Sequence, residues 1–307
     1  MKLLVGLAHV LVALTMPLLM VGLINRTKSL WAGRKGPPLL QSAWDLLRLL
    51  RKRPVYSAVT TPLFPAGAWV VLTASLAAAL IAPLFGSEAP LQFDHDFIVF
   101  AYTLSLARIF LMLSAMDVGS SFEGMGAARE ATFTAFIEPA LFLLLGTACL
   151  VTGQTSFAGL LGQLHASAPY PILVAPMVLI LFVLLQAEAA RVPVDDPSTH
   201  LELTMVHEVM ILDHSGPELA AMQYASAIKI SIYAGLIAVL LNPFNLASSP
   251  LAAILSSLLI MAIVAVAIGC VESLVARLPM RLVPRYLLLA STLGAMVLGV
   301  AGWLMEP

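Results

Sequence analysis

Six ionisable side chains stand inside otherwise apolar runs: Arg108, Glu130, Glu138, Glu188, Lys229 and Glu272. A charge at the centre of a bilayer-spanning helix costs about 2.5–3.5 kcal/mol, so such a group faces protein or water and tends to have a task. Carboxylates buried near bound water can exchange protons, because desolvation favours their neutral form. As a set, the six describe a hydrated polar path. Singly, a structural ion pair or a snorkelling side chain would explain any one of them.

Two further stretches concentrate charge. The segment "ARVPVDDPSTHLELTMVHEVMILDHSG", residues 190–216, holds five acids, one arginine and three histidines. Its candidates are Arg191, Asp195, Glu202, Glu208 and Asp213, and Pro193 and Pro197 prevent a simple helix from running through it. His200, His207 and His214 recur every seven residues, which raises a metal site. Seven residues, however, span about 10 Å of helix, too far for neighbours to share one ion. Hydrogen-bonded, proton-relaying or interfacial histidines remain. The second stretch, "ARIFLMLSAMDVGSSFEGMGAARE" at 107–130, places Asp117, Glu123, Arg129 and Glu130 around a turn. Gly119, Ser120, Ser121, Gly124, Gly126 and Ala127 make that turn or let backbones pack closely.

The elements that must position these groups are membrane helices. Of the 307 residues, 60% are apolar and 11% charged, with mean hydropathy +0.97. A soluble domain carries roughly 45–50% and 25%. Runs of about 20 apolar residues cross a bilayer. Eight are predicted, at roughly 3–25, 64–85, 96–116, 130–151, 170–188, 217–241, 250–272 and 283–304. They are helices, because an isolated span must satisfy its own backbone. The first is read as a retained helix, since Lys2 precedes it and Arg26, Lys28, Arg34 and Lys35 follow. Residues 39–53, "LLQSAWDLLRLLRKR", are too polar to span but carry apolar residues at helical spacing. This is an amphipathic interfacial helix, ended by Pro54. The fold class is therefore an all-α polytopic membrane protein of one domain, residues 1–307, without internal repeat. Residues 189–216 form a charged loop.

Lys and Arg alternate along the connections. Those after odd-numbered spans contain Arg26, Lys28, Arg34, Lys35, Arg48, Arg51, Lys52, Arg53, Arg129, Arg191, Arg277 and Arg281. Those after even-numbered spans, such as "GSEAPLQFDHD" and "NPFNLASSP", contain none. The positive-inside rule puts the odd connections in the cytoplasm and both termini outside. Net charge is −1, so nothing points to nucleic acid. Cys149 and Cys270 lie in separate apolar runs, with no Fe–S or zinc ligand pattern.

Several segments resemble the family of complex I subunit 1 and its counterparts in membrane-bound NiFe hydrogenases. "RKGPPLLQSAWDLLRLL" is similar to that family's basic Gly-Pro segment with its amphipathic helix. "LSAMDVGSSFEGMGAARE", followed by "IEP" at 137–139, resembles its Asp-x-Gly-Ser run. "EAARVPVDDP", "ELT" and "LDHSG" resemble its loop after the fifth span, and "VESLVARLPMR" its Glu-Asn-x-x-Ala-Arg segment. Val194 replaces the usual Phe, Ser198 and His200 replace commonly acidic residues, Asp213-His214 replaces Glu-Tyr, and Pro38 stands where Asn is usual. These departures place the chain nearer the hydrogenase branch, with formate hydrogenlyase subunit 4 and hydrogenase-4 component C.

The resemblance implies a non-catalytic subunit of an oxidoreductase complex in a prokaryotic cytoplasmic (inner) membrane. It would link a cytoplasmic redox arm, a hydrogenase-like large subunit and a small Fe–S subunit, to antiporter-like, ion-translocating membrane subunits. Fe–S clusters and a NiFe centre would belong to those partners, with no cofactor or metal on this chain. Asp117, Glu130, Glu138, Glu188, Asp195, Glu202, Glu208, Asp213, Lys229 and Glu272 are the proton-path and coupling candidates. Arg34, Lys35, Arg108, Arg129, Arg191 and Arg277 are the candidates for ion pairs and partner docking. Two alternatives stay open: a quinone-site subunit of a complex I-like enzyme, and a self-contained ion transporter.

Overall fold

The computed structural model describes residues 2–86, 88–196 and 205–305. Among the described residues eight helices are long and apolar enough to cross a membrane: α1 (Lys2–Trp31), α3 (Leu63–Ile81), α4 (Asp96–Asp117), α5 (Ser121–Thr152), α7 (Tyr170–Glu188), α9 (Gly216–Leu241), α10 (Pro250–Leu274) and α11 (Val283–Met305). Three shorter ones lie between them: α2 (Gln41–Leu50), α6 (Phe157–Leu164) and α8 (His207–Met210). No strand occurs among the described residues. The spans match those read from the sequence to within a few residues, except that α1 runs on through Arg26 and Lys28 and α5 begins earlier.

α9 is the axis of the bundle. Of its most apolar stretch 83% is buried, against 28–50% for the other spans. It packs against α1, α2, α3, α6, α7 and α10, while α3 pairs with α4, α5 with α11, and α1 with α10. A helix that is apolar all round belongs in such a centre. Tyr233 of α9 and Phe64, Phe85, Phe100 and Phe157 are among the largest fully buried side chains. Leu251, Leu255, Leu259 and Ile263 of α10, in contrast, point outward, as a lipid-facing stripe must.

α2 is shorter than the 39–53 read from the sequence, because the chain already leaves the helix at Arg51. None of its residues is fully buried, and Trp44, Leu47 and Leu50 lie on its exposed side.

The turn between the third and fourth spans is tighter than the sequence implies. Only Val118, Gly119 and Ser120 separate α4 from α5, with Gly119 at φ +73°. Glu123, Gly124, Gly126, Arg129 and Glu130 are therefore helical, which moves Glu123 and Arg129 from the surroundings of a turn into α5. Ser120 caps α5 by accepting from the Phe122 N–H, with Glu123 in the first turn. Gly126 serves packing rather than turning: a Cβ there would lie 2.5 Å from Val209 Cγ1 of α8. α6 was not anticipated, because eight residues are too few to register as a span. Ser156 caps it, accepting from the Gly159 N–H at 3.2 Å.

One close approach fixes α2 on the bundle. A Cβ on Gly22 of α1 would lie 1.9 Å from the Leu39 carbonyl oxygen, a backbone atom that cannot rotate away. Gly22→Ala should therefore separate α1 from the α2 segment and destabilise the protein by about 1–3 kcal/mol, the usual cost of overpacking. Gly6→Ala, which meets nothing within 4 Å, is the control. Thermal unfolding of the detergent-purified protein should show a lowered midpoint for the first and none for the second.

Candidate functional site

Arg108 stands in the middle of α4, 2% exposed. Its guanidinium is shared by three carboxylates. Nη2 donates to Glu188 Oε1 at the end of α7. Nη1 donates to Glu138 Oε1 of α5 at 3.2 Å. Nε lies 3.9 Å from Glu130 Oε1, also on α5. Ser105, one turn earlier on α4, donates to the same Glu138 oxygen at 2.7 Å. Lys229 of α9 approaches the second Glu188 oxygen at 3.5 Å. The buried Tyr233, four residues on, faces Glu188 and Arg108.

The helical repeat explains the convergence. Glu130 and Glu138 are eight residues apart, little over two turns, so both fall on one face of α5. Lys229 and Tyr233 share a face of α9 by the i, i+4 rule. Arg108 suits the centre because its planar fork keeps its charge and can satisfy several carboxylates at once. Two cations thus meet three carboxylates, so the fully ionised set would carry one excess negative charge. Glu188 is sealed, while the Glu138 side chain is 37% exposed on the flank of the bundle.

The structure puts Glu272 elsewhere. It pairs with Lys28 of α1 at 2.9 Å and with Arg191 at 3.3 Å, pinning α1, α10 and the start of the charged loop together. Ala190, in a left-handed conformation at φ +49°, turns the chain so that Glu188 and Arg191 serve different clusters. Asp195 closes the loop on itself. One oxygen accepts from the Val206 and His207 N–H groups at 3.1 and 3.0 Å, and the other pairs with Arg277 at 2.8 Å.

The remaining candidates are dispersed. Arg129 donates to the Met205 carbonyl at 2.7 Å, tying α5 to the loop. Asp117 accepts from both the N–H and the hydroxyl of Thr61, at 2.7 and 2.8 Å, which anchors the α2–α3 connection. Arg34, Lys35 and Asp213 are exposed. Burial and the nearby Glu123 push the Asp213 carboxyl up from its ordinary value. Glu202 and His200 lie outside the described residues. Sequence reading did not single out Ser105, Tyr233, Ser114 or Glu218; only the last, in the first turn of α9, carried any signal of its own.

His207 and Glu208 line a cavity of about 300 Å³ beneath α2, together with Asn25, Gln41, Asp45 and Arg191. His214 sits apart from it, stacked on Phe64. No group of three His, Cys, Asp or Glu side chains among the described residues is arranged to hold a metal. Cys149 and Cys270 bond separately, to the Gln154 carbonyl and the Trp31 indole.

Burial, and then the charges of Lys229 and Arg191, push the His207 imidazolium from 6.5 down to about 4. Its folded value lies below its unfolded one, so the unfolded chain binds more protons between these limits. The contribution is complete above pH 6.5 and is lost as pH falls toward 4. At pH 5 that loss amounts to about 2 kcal/mol from this residue. His207→Gln should therefore blunt the fall in thermal midpoint between pH 7 and pH 5. An unchanged pH dependence would show that His207 is not held neutral by the fold.

Residues 4–301 match the NADH dehydrogenase family. Hydrogenase-4 component C of Escherichia coli (strain K12) is 28% identical over 256 residues, covering 83% of this chain and 80% of that protein. Formate hydrogenlyase subunit 4 of the same organism is 26% identical over 295 residues, covering 93% and 94%. A chain of the membrane-bound sulfane sulfur reductase, an archaeal respiratory membrane complex, shares the fold, with a TM-score of 0.79 at 18% identity over 98% of this chain and 99% of that one. With its eight candidate spans and a match over nearly its whole length, the chain belongs to the NADH dehydrogenase family, that of complex I subunit 1.

Proposed function

We propose that this chain is the membrane anchor and coupling subunit of a hydrogenase-type, complex I-related complex. The observation that carries the reading is the Arg108 cluster, in which three carboxylates share two cations inside a membrane bundle. The excess carboxylate can hold or release a proton at little structural cost, since the hydrogen-bond frame around it stays in place. Glu138 is its most accessible member, open on the flank where a translocating membrane subunit would sit. The similarity to hydrogenase-4 component C and formate hydrogenlyase subunit 4 supports a hydrogenase-type setting. In this reading the large and small redox subunits dock on the charged loop, and Fe–S clusters and a NiFe centre stay with them. Antiporter-like subunits adjoin the bundle in the plane of a prokaryotic cytoplasmic membrane.

The orientation follows from the basic connections, which this reading places in the cytoplasm. Single cysteines introduced at Gln92 and Asn245, both exposed, should react with impermeant maleimide from outside. One at Leu30 should react only from inside. The reverse pattern would overturn the assignment and the docking of a cytoplasmic arm with it.

The coupling role is tested by variants with separable effects. Glu138→Gln keeps shape and can still accept from Ser105 and Arg108, but loses the titratable group. The complex should assemble with normal subunit stoichiometry, while ion translocation in proteoliposomes drops at least tenfold. Glu202→Ala or Asp213→Ala should instead weaken association with the redox arm, by the few kcal/mol that a broken buried charge contact costs. Normal pumping by Glu138→Gln would remove this residue from the path and the main support for the reading.

A further inference from the structure

A second polar group lies apart from Arg108, where the start of α9 meets α4 and the α2–α3 connection. His214 and Glu218 are each 3% exposed. The His214 ring stacks flat on Phe64, with centroids 3.9 Å apart. Its Nε2 is 3.0 Å from Ser114 Oγ, and its Nδ1 is 3.5 Å from Glu218 Oε2. The other Glu218 oxygen accepts from the Tyr56 hydroxyl. Ser114 Oγ also donates to the Phe64 carbonyl at 2.9 Å.

A serine hydroxyl has one proton, and the shorter of the two contacts here runs to the Phe64 carbonyl, which can only accept. With the proton placed there, Ser114 accepts from His214 and the imidazole N–H lies on Nε2. A neutral imidazole has one N–H, so Nδ1 turns a lone pair toward Glu218. A carboxylate would turn a second lone pair back. Among the described residues neither Nδ1 nor Oε2 has another hydrogen-bond partner, and both are buried. Two such acceptors facing each other unbridged would carry the full desolvation penalty of both. One proton between them satisfies both at once.

We infer that His214 and Glu218 form a proton-binding pair that retains one proton at neutral pH, a titrating site distinct from the Arg108 cluster. The site completes a directed chain: Tyr56 donates to Glu218, Glu218 to His214, His214 to Ser114, and Ser114 to the Phe64 carbonyl. Burial pushes the His214 imidazolium down to about 4. Among the described residues no Lys or Arg forms an ion pair with Glu218, and the one ion pair that it makes is with His214. On α4, Asp117 is committed to Thr61. Asp213 is exposed, with Glu123 of α5 beside it. The Lys52 and Arg53 backbone runs past Gly216. Tyr56, 49% exposed, is the point at which the pair communicates with the surface. None of this depends on whether the Arg108 cluster carries protons.

Infrared spectroscopy of the purified membrane complex tests the inference, because it reads protonation rather than turnover. At pH 7 the native complex should show the carbonyl band of a neutral carboxylic acid, shifted in deuterium oxide and lost in Glu218→Gln. An imidazolium band lost in both Glu218→Gln and His214→Gln would place the proton on the other member of the pair and equally support it. Native and Glu218→Gln spectra that differ in neither band would overturn it. If Glu218→Gln does not assemble, Tyr56→Phe decides. It removes only the bond to the far oxygen, so it should shift the band of whichever member holds the proton. A spectrum shifted in neither region would again refute the pair.

Discussion

One guanidinium in the middle of α4 constrains the bundle. Arg108 cannot remain unpaired in a low-dielectric interior, so helices that bring carboxylates must surround it. Glu130 and Glu138 fix the rotation of α5 about its axis, Glu188 fixes where α7 ends, and Lys229 fixes the facing side of α9. A buried ionic set like this is weak evidence for stability, since an apolar replacement of the whole often does as well. Removing one member alone is different, because it strands the others at a cost of about 3–5 kcal/mol. Such a cluster therefore holds its members together while adding little net stability.

The charged loop extends this arrangement. Glu188 and Arg191 are three residues apart, yet one belongs to the Arg108 cluster and the other to Glu272 and Lys28. The left-handed turn at Ala190 separates them, a conformation that β-carbon-bearing residues adopt reluctantly. Asp195 then ties the loop back to Arg277 and to the backbone before α8. A displacement of the loop would thus pull on Arg191 and, through the short connection, on Glu188. The group tied to Glu272 is therefore covalently close to the group that holds Arg108, and the two clusters cannot shift independently.

Much of this architecture was legible in the sequence, for reasons that differ by feature. Span positions follow from apolar run length, a property of the chain alone. Arg108, Glu138 and Lys229 were recognisable as partners in need because a charge in such a run has a known cost. Which acid meets which cation was not legible, because it depends on how each helix is rotated against its neighbours. Glu272 looked like one more member of the path, but its helix packs on α1, so it pairs with Lys28 instead. The glycines at 124 and 126 could be read as a turn or as close packing, because small residues serve both equally well, and the structure makes both helical and selects packing for Gly126. His214 carried a spacing signal for metal, while its real partners, Phe64, Ser114 and Glu218, come from three helices.

The exposure of Glu138 gives the arrangement its direction. Glu188 and Arg108 are sealed, but the Glu138 side chain is 37% open on the flank between α4 and α5. A charged side chain against hydrocarbon would cost about 2.5–3.5 kcal/mol, so this flank calls for a polar neighbour or bound water. Arg108 fixes the centre of the cluster, and Glu138 is the most open of its three acids. The charge balance of the set therefore meets its surroundings at this edge rather than at its buried centre.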